Sequence, residues 1–103
     1  MIPTRQAKRP LRTLGAEEAT TLAIQALGFV AGDDEVLGRF LGTTGLGPDE
    51  LRERPDDPMI LGAVLDFVLA DAALLLRFCG GVNCPPEWPA RARAKLPGFM
   101  PRD

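Results

Sequence analysis

The chain contains no histidine, no serine and no tyrosine. Without them there is no Ser/His/Asp triad, no Cys/His nucleophile pair, no histidine-ligated zinc and no tyrosine general acid. Most hydrolase and metalloenzyme chemistry is excluded on that ground, and no cofactor or metal is expected. Cysteine is scarce as well. Cys79 and Cys84 have four residues between them, which is not the CxxC spacing of redox motifs and supplies at most half a zinc site. They read as small core hydrophobes, with a regulatory disulfide or an intersubunit metal as alternatives. Long apolar runs are missing too. The most apolar stretch, Met59 to Leu65, is interrupted by Asp66, resumes to Ala70 and stops at Asp71, short of the roughly 20 residues a bilayer requires. Behind the basic N-terminus stand Gly15, Ala16, Glu17 and Glu18 in place of the apolar stretch of a secretory signal. The expectation is a cytoplasmic protein without membrane contact.

What is present fits one compact domain: 103 residues, 46% apolar and 25% charged. The net charge of −2 conceals a segregation. Residues 1 to 12 carry Arg5, Lys8, Arg9 and Arg12 and no acid, whereas Thr13 to Cys84 holds twelve carboxylates against Arg39, Arg52, Arg54 and Arg77. An acidic body between basic ends lacks the concentrated basic face of a dedicated nucleic-acid binder. Residues 1–15 are expected to form a disordered basic arm, 16–98 a single helical domain and 99–103 a flexible tail.

No alternating strand pattern occurs, and the apolar residues recur at helical spacing. The spacing predicts a first helix that starts after Gly15 and ends at Gly32, a glycine able to take the left-handed conformation, with Leu22, Ala23, Ala26, Phe29 and Val30 on its buried stripe. Asp33 caps a second helix, in which Glu35 pairs with Arg39 and Gly42 begins the end. Pro48 opens a short third helix ending near Arg54. Asp57 and Pro58 start a fourth, central helix, apolar around nearly its whole circumference, and Asp71 starts a fifth that Gly80-Gly81 stops. A last helix runs from about Pro86 to Leu96, with Pro89 tolerated in its first turn.

Sliding the sequence by 38 positions aligns Phe29-Val30 with Phe67-Val68, Asp33 with Asp71, Leu37 with Leu75, Arg39-Phe40 with Arg77-Phe78, and Gly42 with Gly80. Seven of fourteen positions match, where composition alone supplies about one. The expected architecture is an all-α bundle of about six short helices in two pseudo-symmetric three-helix units. Phe40 and Phe78 should then hold equivalent core positions, and Arg39 and Arg77 should each reach the other unit.

The runs LAIQALGFVAGDDEVLGRFLGTTGLGPDELRER, ILGAVLDFVLAD, LLLRFC and RARAKLPG carry a resemblance to a family. From about Ala16 to Gly98 the chain resembles a family of small bacterial proteins known only as a domain of unknown function. The resemblance implies an all-helical cytoplasmic protein without an assigned reaction, and it brings no catalytic or binding residue with it. Family members encoded near two-component signalling genes add the implication of a regulatory interaction.

Three features compete as sites. The turn Gly42 to Gly47 lacks the Gly-Lys-Ser/Thr ending of a phosphate loop and follows a helix, so it reads as a connector. Asp66, the one carboxylate within an apolar helix, is a general base if buried; otherwise it faces solvent beside Gly62 and Ala70, or takes a cation from Arg39 or Arg77. Trp88, the only tryptophan, stands in a proline-rich turn. From Ala16 to Cys84, 35 of 69 residues are apolar, more than so small a bundle hides, which points to a patch for a partner protein or a second copy. The reading is a non-enzymatic protein–protein interaction or regulatory adaptor module, with Leu46, Leu51 and Trp88 on the contact surface. The alternative is a weak nucleic-acid accessory protein that binds through Arg5, Lys8, Arg9 and Arg12. Four phosphate contacts give a salt slope of only roughly −3.6, so nucleic acid is the less expected partner.

Overall fold

The structure, a computed structural model described over residues 14–96, is all-α. Its six helices are α1 (Ala16–Ala31), α2 (Asp34–Thr44), α3 (Pro48–Glu53), α4 (Pro58–Leu69), α5 (Ala72–Val82) and α6 (Trp88–Ala94). Among the described residues there is no strand. No single described helix is long and apolar enough to cross a membrane, and α4 and α5 meet at a bend of 113°. Arg5, Lys8, Arg9, Arg12 and the tail from residue 97 lie outside the described residues. Leu14 is buried in the core, so the packed body begins ahead of α1.

Local chemistry sets most helix starts. Asp33 Oδ1 accepts the Glu35 and Val36 amides, Asp57 Oδ1 the Met59 amide, and Asp71 Oδ1 the Ala73 and Leu74 amides. Each carboxylate thereby satisfies backbone donors that have no partner within the helix. Pro48 and Pro58 occupy first positions, where no amide is needed. The stops differ from the sequence expectation. Gly42, Gly80 and Gly81 lie inside helices; α2 ends at left-handed Gly45 (φ 78°) and α5 at left-handed Asn83 (φ 60°). Gly32 closes α1 in the right-handed region, its amide donating to the Gly28 carbonyl while the Asp33 amide donates to that of Val30. The last helix is shorter than expected and begins at Trp88, with Pro89 in its first turn.

The core lies between α1 and α4. Ala19, Leu22, Ala23, Ala26, Leu27 and Val30 line the buried side of α1, opposite Ile60, Leu61, Val64, Leu65 and Val68 of α4. Three alanines in that α1 stripe leave room for close approach, and α6 packs across both central helices. Apolar nearly all round, α4 is still not wholly covered, since Met59 in its first turn is 63% exposed. Phe29, expected on the α1 stripe, is only half-buried.

Helix α2 packs on α1 as α5 packs on α4, and each second helix also touches the other central helix. Phe40 and Phe78 are both fully buried. Phe40 meets Phe67 edge-on at 5.4 Å between ring centres, and Phe78 meets Phe29 at 5.6 Å. Arg39 reaches Asp71 at 3.2 Å and stands 5.7 Å over the Phe67 ring; Arg77 reaches Asp33 at 3.5 Å and stands 5.5 Å over Phe29. Adding 38 to one partner and subtracting it from the other turns each contact into its counterpart. Arg39 therefore does not pair with Glu35, because Asp71 offers a carboxylate and Phe67 a ring face in one place. The correspondence stops at the short helices. No residue of α3 is buried, whereas α6 buries Pro89, Ala92 and Arg93.

Candidate functional site

Packing α6 across α1 brings Trp88, half-buried at the start of α6, to the exposed side of α1. There it closes a cleft of about 280 Å³ lined by Glu17, Glu18, Thr21, Leu22, Gln25 and Trp88. The helical spacing of 18, 21, 22 and 25 puts those four residues on one face. Leu22 is buried, whereas Glu17, Glu18, Thr21 and Gln25 are exposed. The result is an apolar floor, an aromatic wall and a polar rim. Neither Glu17 nor Glu18 forms an ion pair among the described residues. The Glu18 carboxylate folds back over Gly15, close enough that a side chain there would meet it at 2.7 Å. A second, shallower depression, along Ala16, Glu17, Thr20 and Thr21, continues the cleft toward the start of α1.

Leu46 and Leu51 are half-buried and rest on the core from the connection into α3 and from α3 itself. They do not line the Trp88 cleft, whose second wall is α1. Trp88 also packs against the core, so it is both a structural residue and the wall of a cavity. Sequence reasoning singled out Trp88 and missed Glu17, Glu18, Thr21 and Gln25. The signal was their shared helix face, which gains meaning only once α6 is known to cross it.

Asp66 has a partner that the sequence did not suggest. Arg93 of α6 donates Nε to Asp66 Oδ1 at 2.8 Å; the arginine side chain is 10% exposed and that of Asp66 59%. Arg93 Nη1 lies 3.5 Å from the Leu96 carbonyl. A Cβ at Gly62 would stand 2.9 Å from the guanidinium carbon, so glycine there is what admits the buried cation. Asp66 is exposed and paired, which is not the buried setting a general base needs. A cleft of about 270 Å³ opens beside it, lined by Thr43, Thr44, Ala63, Asp66, Phe67 and Ala70. The Thr44 hydroxyl is already engaged, donating to the Phe40 carbonyl and accepting the Leu46 amide.

Both cysteines are free thiols. Cys79 is buried, its Sγ 3.8 Å from the Pro85 carbonyl, and its own carbonyl accepts the Cys84 amide at 3.0 Å. Burial first, then the neighbouring Cys79 and the charge of Glu87, push the Cys84 thiol up to about 12. Such a thiol holds almost no nucleophilic thiolate at neutral pH.

No curated protein and no solved structure matches the chain significantly. A family model does, over residues 16–99, and it is described as a protein of unknown function, DUF3572. The match takes in all six helices, the Trp88 cleft and the exchanged Arg39–Asp71 and Arg77–Asp33 contacts, and the chain belongs to that family.

Proposed function

We propose that the chain is a cytoplasmic, non-enzymatic protein–protein interaction module of regulatory or adaptor type, and that its contact surface is the cleft between α1 and Trp88. The observation that carries this reading is the cleft itself: a half-buried tryptophan facing a polar rim over buried Leu22. Tryptophan is among the residues that most often anchor interfaces, because it brings a large rigid area at small entropic cost. Ile24, Met59 and Leu76 remain 46%, 63% and 61% exposed, which adds apolar surface beyond the core.

Affinity capture with the intact chain tests the reading when wild type is compared with Trp88→Ala and with the rim variant Gln25→Arg, and light scattering measures self-association alongside. A retained partner, or a second copy, that both variants release supports it. A monomer that retains nothing, or a partner indifferent to both changes, overturns it.

The alternative places nucleic acid on Arg5, Lys8, Arg9 and Arg12. Among the described residues Arg39, Arg52, Arg54, Arg77 and Arg93 each face a carboxylate, so the body itself offers few unpaired cations to a phosphate backbone. The pairs α1–α2 and α4–α5 read as copies of one duplicated unit, supported by the exchanged Arg–Asp and Phe–Phe contacts.

A further inference from the structure

We infer that the Trp88 cleft takes an arginine side chain presented by a partner protein. The inference rests on the interaction reading above and specifies its chemistry. Three properties of the cleft select this occupant over an apolar one. First, among the described residues its charge is of one sign: Glu17 and Glu18 line it, no described cation does, and neither carboxylate is paired with another described residue. Second, its wall is an indole, the aromatic surface that attracts cations best, and a planar guanidinium stacks on it where an ammonium does not. Third, its acceptors are distributed. A guanidinium carries five N–H donors and needs several oxygens around its edge; the two carboxylates, the Thr21 hydroxyl and the Gln25 amide, all on α1, line the cleft to supply them. Buried Leu22 at the floor suits the apolar methylene stem of the same side chain. At about 280 Å³ the space is small for a drug-sized ligand and sufficient for one long side chain.

Trp88 is the only tryptophan, so the intrinsic fluorescence of the intact chain reports on this cleft alone. The probe is an acetylated, amidated tripeptide Ala-Arg-Ala, titrated at low salt beside the same peptide with citrulline, which has nearly the same shape and no charge. The expected result is a saturable emission change for the arginine peptide, with citrulline binding at least about tenfold more weakly. The preference should shrink in 0.5 M salt and in Glu17→Gln/Glu18→Gln. Far-UV circular dichroism establishes that this variant is folded, and the salt series on wild type gives the same answer without mutation. Equal binding of both peptides, an affinity indifferent to salt, or no saturable change overturns the inference. If capture of a partner still depends on Trp88 while the arginine peptide fails, the cationic occupant alone is wrong. If capture is indifferent to Trp88, the interaction reading falls whatever the peptide does.

Discussion

Arg39 binds Asp71 through the carboxylate oxygen that the helix cap leaves over. Asp71 Oδ1 accepts the Ala73 and Leu74 amides at 3.0 and 3.2 Å, and Oδ2 accepts Arg39 Nη2 at 3.2 Å. Asp33 divides its oxygens in the same way, between the amides of Glu35 and Val36 and the guanidinium of Arg77. One acidic residue thus begins a helix and fixes a tertiary contact at once.

This double use has a signature in acid. The Leu74 amide is the main cause that lowers the Asp71 carboxyl below the ordinary carboxylate value; desolvation opposes it, and Arg39 and the Ala73 amide add to it. For Asp33 the Val36 amide leads, again against desolvation, followed by Glu35 and Arg77. A carboxylate whose folded value is depressed contributes stability above its unfolded value and loses it as pH falls through the folded one. Thermal midpoints should therefore decline below about pH 4 in wild type. The decline should be shallower in Asp33→Asn/Asp71→Asn, which keeps a capping side chain without the charge. Parallel pH profiles for the two proteins would count against the assignment.

Phe40→Ala and Phe78→Ala should each cost about 3–5 kcal/mol, because both rings are fully buried and each leaves a cavity beside one aromatic neighbour. Urea unfolding measures both. If the alanine variants do not fold, Phe→Leu at the same two sites gives the comparison at smaller cost. Costs that differ by more than about 2 kcal/mol would mean that the two rings are not equivalent.

Gly38 and Gly62 are both helical, and alanine should act on them with opposite sign. Nothing lies within 4 Å of a Cβ at Gly38, so Gly38→Ala should gain about 0.5–1 kcal/mol from helix propensity. At Gly62 the new methyl would meet the buried Arg93 guanidinium at 2.9 to 3.2 Å and press it away from Asp66. Crowding of this kind costs about 1–3 kcal/mol, more than the propensity gain. Thermal denaturation of the two variants decides the matter by sign.

Cys84, with its thiol pushed up to about 12, should resist iodoacetamide at pH 8 in the folded chain and react readily once urea exposes it. Mass spectrometry of timed aliquots reads this directly. Rapid modification of the native protein at Cys84 would show that the thiol is not held neutral.

The helices were largely legible in the sequence because their starts are local. A capping Asp acts within three residues and a first-turn proline within one, and Asp33, Asp57, Asp71, Pro48 and Pro58 all behave so. The stops were less legible. Gly42, Gly80 and Gly81 are carried through by helices that continue, and the left-handed ends fall on Gly45 and Asn83. Side-chain partners were the least legible. Arg93 lies 27 residues from Asp66 on a helix whose crossing angle no local pattern encodes. The one trace was the strip of small residues at Gly62 and Ala70, which marks a place where something comes close. The Trp88 cleft has the same character: its rim was in plain view on α1, and only the packing of α6 makes it a rim.

The exchanged pairs also impose an order on biosynthesis. Asp33 leaves the ribosome well before Arg77, which lies 44 positions later; at about 5–20 residues per second that interval lasts several seconds. Through it the first helix pair is finished in covalent terms but lacks its cross-partner, while Phe29 waits for Phe78 and Phe40 for Phe67. The nascent first half therefore displays aromatic surface that only the second half can cover.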